Sequence, residues 1–325
     1  MWEYMVSGTR LALALALAAL SCGVGAARSS PWPPSTEHPQ IQLWRGAPPD
    51  TFHVNGPEHI ADHPKTVDAL RYIEVSNVSR PTLTLYQPQK RSTNAAVLVF
   101  PGGGYWTLAI DLEGTEVCDW LTTNGITCIL VKYRVPSYDK EGKSRSGPYP
   151  NSPVALEDAQ RAIALTRFNA RKWGIDPSKV GVLGFSAGGH LVAATSTHDR
   201  VYTRTDAIDD ISVRPDFGIA LYPGHLWVNE DAFALNSAVP VNSKTPPQFI
   251  VQSEDDPVDE VNNSLVYYIA LKRAKVPSEL HIYPEGGHAF GLRHTDKAIT
   301  DWPQLALRWL KTIGVITTPM AKQQD

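Results

Sequence analysis

The chain has 325 residues, of which 42% are hydrophobic and 19% charged, the proportions of a folded globule rather than a disordered segment. Thirty Lys and Arg against 33 Asp and Glu leave a formal net charge of −3, which argues against a protein held to nucleic acid by phosphate neutralisation. Three cysteines, at 22, 118 and 128, are too few for a disulfide scaffold and lack the clustered spacing of a zinc site.

At the N-terminus, Leu11 to Leu20 reads LALALALAAL. The run is about ten residues, half of what a membrane-spanning helix needs, and so predicts the core of a signal peptide rather than a stable membrane span. Small residues follow at Gly25-Ala26-Ala27, and the expectation is a signal peptide over residues 1–27 and export to the periplasm or beyond the cell. Cys22 after Ser21 offers a lipoprotein alternative, against which Ala19 stands as a poor match. Export would make Cys118 and Cys128 an even pair in an oxidising compartment; the preferred expectation is two separate buried thiols. Residues 28–66 read as an N-terminal extension whose Pro/Ser-rich start, as far as Gln40, is an extended tether. Residues 67–316 read as one catalytic domain and 317–325 as a tail.

Within the domain, Tyr72–Val75 and Thr82–Tyr86 read as two strands joined by a turn at Asn77–Pro81. Ala95–Phe100 is an all-apolar run ending in Pro101 and three glycines, which predicts a strand buried on both faces. A helix over Gly114–Thr123, a buried strand over Ile126–Tyr133 and a helix over Val154–Trp173, ending at Gly174, come next. Val180–Phe185 predicts a strand and Ala187–Thr197 a helix. Further strands follow at Phe217–Leu221, Gln248–Ser253 and Glu279–Tyr283, with helices at Ser264–Ala274 and Trp302–Ile313. This alternation implies right-handed crossovers and an α/β fold with a mostly parallel sheet.

Gly184-Phe185-Ser186-Ala187-Gly188 is a G-x-S-x-G motif between a predicted strand and a predicted helix. In that setting the turn is so tight that only glycines fit two residues either side of the serine, whose hydroxyl is left exposed at the strand's C-terminal edge. Ser186 is therefore the candidate nucleophile, and the adjoining helix N-terminus favours a developing oxyanion. A serine needs a base, and the base a carboxylate to set its tautomer. After strand Gln248–Ser253 the chain supplies Glu254-Asp255-Asp256-Pro257-Val258-Asp259. After strand Glu279–Tyr283 it supplies Pro284-Glu285-Gly286-Gly287-His288. His288 is the candidate base. Asp256, whose turn Pro257 fixes, is the first choice of acid, with Asp255 the alternative. The amides of Gly102, Gly103 and Gly104, with that of Ala187, are candidate oxyanion donors; losing one such donor typically costs about 3 kcal/mol of transition-state stabilisation. Among the other histidines, His190 follows the serine too closely to be its base, while His59 and His63, with Asp62 between them, have the spacing of a metal pair but no third ligand.

The stretches PGGGY (101–105), GVLGFSAGGHL (181–191), EDDPV (254–258) and LHIYPEGGHAFGL (280–292) carry a resemblance from Ala95 to Leu310 to the α/β-hydrolase superfamily. The likeness is to bacterial esterases of the acetylxylan-esterase-like and feruloyl-esterase-like kind. It implies the α/β-hydrolase fold, with helices on both faces of the sheet, and a serine ester hydrolase without cofactor or metal. Ser186 would be the nucleophile, Asp256 the acid and His288 the base, with Gly102–Gly104 and Ala187 forming the oxyanion hole. Pro101 stands where the hormone-sensitive-lipase pattern has the histidine of HGGG. Tyr105 and Trp106 are expected to crowd the acyl side and favour acetyl groups, while Tyr222 and His225 are candidate substrate contacts and Tyr149, Tyr222 and Trp227 candidate sugar-stacking faces. The substrate would be a small or polysaccharide-borne ester such as acetylated xylan. A prolyl-oligopeptidase-like peptidase, an acyltransferase and a non-catalytic carbohydrate-binding relic are the alternatives.

Overall fold

The computed structural model describes residues 37–50, 54, 56–67, 70–90, 93–136, 152–227 and 233–316. The predicted signal peptide, Cys22, Tyr149 and the C-terminal tail lie outside these residues. Strands in chain order are β1 (Gln40–Gln42), β2 (His59–Val67), β3 (Leu70–Ser76), β4 (Thr82–Tyr86), β5 (Ala96–Phe100), β6 (Thr107–Ala109), β7 (Thr127–Lys132), β8 (Val180–Phe185), β9 (Gly218–Leu221), β10 (Gln248–Ser253) and β11 (Ser278–Tyr283). The α-helices are α1 (Glu116–Thr123), α2 (Ser152–Phe168), α3 (Ala170–Trp173), α4 (Ala187–Thr197), α5 (Asn262–Arg273) and α6 (Trp302–Thr312).

The main sheet runs β1–β4–β7–β5–β8–β9–β10–β11. From β7 to β11 every neighbour is parallel, and only β1 and β4 are antiparallel. Parallel strands covered on both faces need unbroken apolar runs, and every residue of β5, β7 and β8 is buried. The chain moves outward from β5 to β7, then reverses across β5 to β8 and continues to β11. Right-handed crossovers then place α1 on one face and α2, α4 and α5 on the other. Packing agrees. Trp120 of α1 meets Trp302 of α6 edge-on with ring centroids 5.5 Å apart, while Ala193 of α4 shares a buried cluster with Val266, Tyr267 and Leu271 of α5. The reversal leaves the C-terminal ends of β5, β8, β10 and β11 along one sheet edge, where ligands bind in open α/β sheets.

Three expectations need correction. Strands β3 and β4 do not pair with each other: β3 lies between β2 and β6 in a separate three-stranded antiparallel sheet, and β4 lies between β1 and β7. Gln40, read as the end of a tether, opens the edge strand Gln40–Gln42 on β4. Cys118 on α1 and Cys128 on β7 are joined as a disulfide rather than separate thiols, because the helix packs its buried face on the neighbouring strand and brings the Cα atoms to 5.1 Å. Smaller differences concern helix ends. A π-helical turn, Asp111–Thr115, precedes α1, and the predicted 154–173 helix breaks into α2 and α3 before Gly174 closes it with φ 64°. No helix of the described residues is long and apolar enough to cross a membrane.

Candidate active site

Ser186 stands between the last residue of β8 and the first of α4, with φ 51° and ψ −117°. That conformation costs a non-glycine residue about 1–3 kcal/mol, so its surroundings must impose it. They do so by crowding. A Cβ on Gly184 would lie 2.2 Å from the Gly188 carbonyl oxygen, and one on Gly188 would lie 2.0 Å from that of Phe100. The Ser186 amide donates to the Leu221 carbonyl of β9 (3.0 Å), and the residue is buried.

His288 follows the Gly286-Gly287 turn after β11. Asp255 Oδ1 accepts both turn amides, from Gly286 at 2.9 Å and Gly287 at 2.7 Å, and Ser253 Oγ donates to the Gly287 carbonyl at 2.7 Å. Asp255 thus shapes the turn without facing the imidazole. Asp256 faces it: His288 Nδ1–H donates to Asp256 Oδ2 at 2.8 Å, which sets the tautomer that leaves Nε2 free to accept a proton. Asp256 is itself held by the amides of Val258 and Asp259 on Oδ1 and by Gln252 Nε2 on Oδ2. The Tyr222 ring backs the imidazole edge-on, with centroids 4.8 Å apart. Burial disfavours charge on His288, but the hydrogen bond and charge of Asp256, then the charges of Asp259 and Glu113, outweigh it and raise its pKa above the ordinary 6.5.

Asp259 is the residue whose placement the sequence does not reveal. Its Oδ2 accepts from Ser186 Oγ at 3.2 Å and lies 3.8 Å from His288 Nε2. Two carboxylates therefore flank one imidazole, Asp256 on Nδ1 and Asp259 on the Nε2 side. Burial raises the Asp259 pKa to about 6, against the lowering effect of the His288 charge. The sequence signal is only a third aspartate on one loop, where a single partner for His288 is expected.

The glycine loop also differs from expectation. The Gly102 amide is not free for an oxyanion, because it donates to Glu113 Oε2 at 2.7 Å. That removes Gly102 from the candidate donors. The amides of Gly103 and Gly104 donate to no other group among the described residues, and that of Ala187, in the first turn of α4, has no helical acceptor. Bracing that the HGGG histidine would give comes instead from Tyr133, whose hydroxyl donates to the Pro101 carbonyl at 2.5 Å. Tyr222 donates to the other Glu113 oxygen at 2.9 Å and accepts from the Gly291 amide at 3.2 Å. Burial raises the Glu113 pKa despite these bonds.

Two expected substrate contacts are corrected here. Tyr105 and Tyr222 are both fully buried. Tyr105 shares a 2.8 Å hydrogen bond with His190 Nδ1 behind the loop, where burial lowers the His190 pKa to about 3. Tyr222 packs beneath His288. Each ring turned inward because its hydroxyl finds a buried polar partner there. Trp106 and His225 are partly exposed, and burial lowers the His225 pKa to about 4. Trp106 Cδ1 stands 3.4 Å from where a Cβ on Gly104 would be. His59 and His63 lie on strand β2, where four residues span about 13 Å, too far to share an ion. His63 faces Glu74 at 3.8 Å and stacks on Tyr72.

Comparison with known proteins gives two family matches, the prolyl oligopeptidase family over residues 156–314 and BD-FAE over residues 83–214. An acetylxylan esterase of Xylanibacter ruminicola is 30% identical over 74% of this chain and 50% of its own length. Endo-1,4-beta-xylanase B of Butyrivibrio fibrisolvens is 30% identical over 68% of this chain and 36% of its own. The chain thus spans half or less of these two relatives. The crystal structure of an acetyl ester-xyloside bifunctional hydrolase from Caldicellulosiruptor lactoaceticus is 32% identical, covers 86% of this chain and 97% of its own, and superposes with a TM-score of 0.66.

Proposed function

The chain belongs to the α/β-hydrolase superfamily and resembles its BD-FAE-like esterases; from that premise we propose that it is a serine carboxylic-ester hydrolase removing acetyl groups from plant polysaccharide such as xylan. The observation that carries this reading is the pair His288–Asp256, whose Nε2 lies 3.8 Å from the Asp259 carboxylate that accepts from Ser186 Oγ. In the mechanism, Ser186 Oγ attacks the ester carbonyl as His288 Nε2 takes its proton, and Asp256 stabilises the imidazolium. The tetrahedral oxygen is held by amides of Gly103, Gly104 and Ala187. His288 then returns the proton to the departing alcohol, and water repeats the sequence to free the acid.

A preference for a short acyl group is supported by Trp106, which is partly exposed beside Gly104. We also propose export, which the apolar run at Leu11–Leu20 and the Cys118–Cys128 disulfide support, since disulfides persist in oxidising compartments. Thiol titration of unreduced, denatured protein is expected to find neither cysteine free.

The prolyl oligopeptidase match over residues 156–314 favours a second reading, a peptidase on the same three residues. A panel of acetylated xylan, feruloylated sugar, triglyceride, p-nitrophenyl esters from acetyl to octanoyl and a peptide p-nitroanilide separates the two. Acetate release from xylan and rates falling with acyl length support the esterase. Cleavage of the anilide alone would favour the peptidase.

A further inference from the structure

The position of Asp259 bears on which alcohol the site accepts. Its carboxylate is buried, and its one hydrogen bond among the described residues comes from Ser186 Oγ. The backbone around it is locked: its amide donates to Asp256 Oδ1 at 2.9 Å and its carbonyl accepts Gln252 Nε2 at 2.8 Å. Space for the carboxylate exists because residue 224 is glycine; a Cβ there would lie 2.4 Å from Asp259 Oδ1. Before Ser186 can attack, its hydroxyl has to turn from Asp259 to His288 Nε2. The carboxylate then loses the one donor it has among the described residues, and a buried acceptor stripped of its partner is destabilised.

The direction in which that lost donor can be replaced follows from His288. The departing alcohol oxygen has to come within hydrogen-bonding reach of Nε2 to be protonated. Asp259 Oδ2 lies 3.8 Å from the same nitrogen, within reach of a group carried beside the departing alcohol oxygen. A hydroxyl on the carbon next to the esterified one would meet it there. An alkyl or aryl alcohol has nothing to offer.

We propose that Asp259 selects esters whose alcohol carries a free hydroxyl on the adjacent carbon, as the vicinal hydroxyls of a partly acetylated pyranose do. This rests on the ester-hydrolase reading and adds to it the part of the substrate that is recognised. The hydroxyl donates to Asp259 as Ser186 turns away, so the contact is made on the way to the transition state and appears in kcat/KM.

The test compares acetate release from a methyl xylopyranoside monoacetate and from its counterpart in which the hydroxyl next to the ester is replaced by hydrogen. With wild-type full-length protein, kcat/KM for the hydroxyl-bearing ester is expected to be higher by about tenfold or more. In Asp259→Ala the ratio should collapse toward one. Because both substrates meet the same enzyme, loss of folded protein lowers both rates and leaves the ratio intact. A wild-type ratio near one, or a ratio unchanged in the variant, overturns the role of Asp259 while leaving an ester hydrolase. Failure of the wild type on both sugars and on p-nitrophenyl acetate removes the hydrolase reading and this inference with it.

Discussion

Glu113 Oε2 accepts the amide hydrogen of Gly102 at 2.7 Å, fastening the glycine loop after β5 to the turn that leads into α1. Its other oxygen accepts from Tyr222, the residue that backs the imidazole of His288. One buried carboxylate therefore holds both the glycine loop and the ring that packs on His288. A Cβ on Gly102 would fall 2.7 Å from this carboxylate and 3.0 Å from Ser186 Cβ, which is why the position is glycine.

Removing that brace leaves the Gly102 amide and the Tyr222 hydroxyl without acceptors. Glu113→Leu is expected to lower kcat on the order of 100-fold, with a smaller change in KM, because displacement of a catalytic group by about 1 Å has that effect. Steady-state kinetics on p-nitrophenyl acetate, with circular dichroism as a folding control, measures it. A folded variant within threefold of wild type would show that Glu113 does not position the site.

Neighbouring acids on one loop should behave very differently. Asp256→Asn removes the carboxylate that sets the His288 tautomer and is expected to reduce kcat by about 10⁴-fold. Asp255→Ala loses two bonds to the half-buried Gly286-Gly287 turn and should reduce it by less than about tenfold, since those contacts act only through the turn. Equal effects of the two substitutions would contradict the assignment of Asp256.

The pH profile should follow the raised pKa of His288. A base must be neutral, so kcat/KM is expected to fall as pH drops through a value above 6.5. Asp259 ionises at about 6 in contact with the same ring, so the fitted value belongs to the pair rather than to either group. In Asp259→Ala one source of the raised value is gone, and the acid limb should move to lower pH. A limb that stays in place, or a profile flat to pH 4, would count against this electrostatic arrangement.

Stability away from the site depends on Arg161. Its guanidinium is buried and forks between Asp206 at 2.7 Å and Asp209 at 2.7 Å, with Trp44 stacked against it at 5.2 Å. Arg161→Met leaves Asp209 buried without its cation and is expected to cost about 3–5 kcal/mol, read from urea denaturation at pH 7. The Arg161 hydrogen bond lowers the Asp206 pKa, and bonds from Thr205, Tyr202 and Arg161 lower that of Asp209 against its burial. Carboxylates with lowered folded-state pKa values stabilise above their unfolded value of about 3.9 and lose that contribution as pH falls below it. Wild type should accordingly lose stability below pH 4, and Arg161→Met should lose less over the same range. Parallel pH curves for the two proteins would contradict this.

Much of the site was open to reading in the chain because its demands are local. The serine elbow needs glycines at two fixed offsets, and a base carried by a glycine turn after the last strand announces itself within five residues. At that sheet edge Asp256 meets His288 Nδ1, and Ser186 donates to Asp259, whose carboxylate lies 3.8 Å from His288 Nε2. Tyr105 and Tyr222 misled because an aromatic beside a catalytic loop has two faces to choose between, and the buried acceptors that drew them inward, on His190 and Glu113, belong to distant segments.

Sequence alone determined the alternation of buried strands and amphipathic helices, and with it the sheet edge where four loops converge. It also determined the serine elbow, whose glycines answer to steric limits acting over a few residues. Tertiary structure alone decided which of three loop aspartates meets which atom, that Glu113 occupies the Gly102 amide, and that Cys118 and Cys128 are bonded. Each of these depends on side chains aimed across gaps between elements, and the direction of aim is set by packing, which no local spacing encodes.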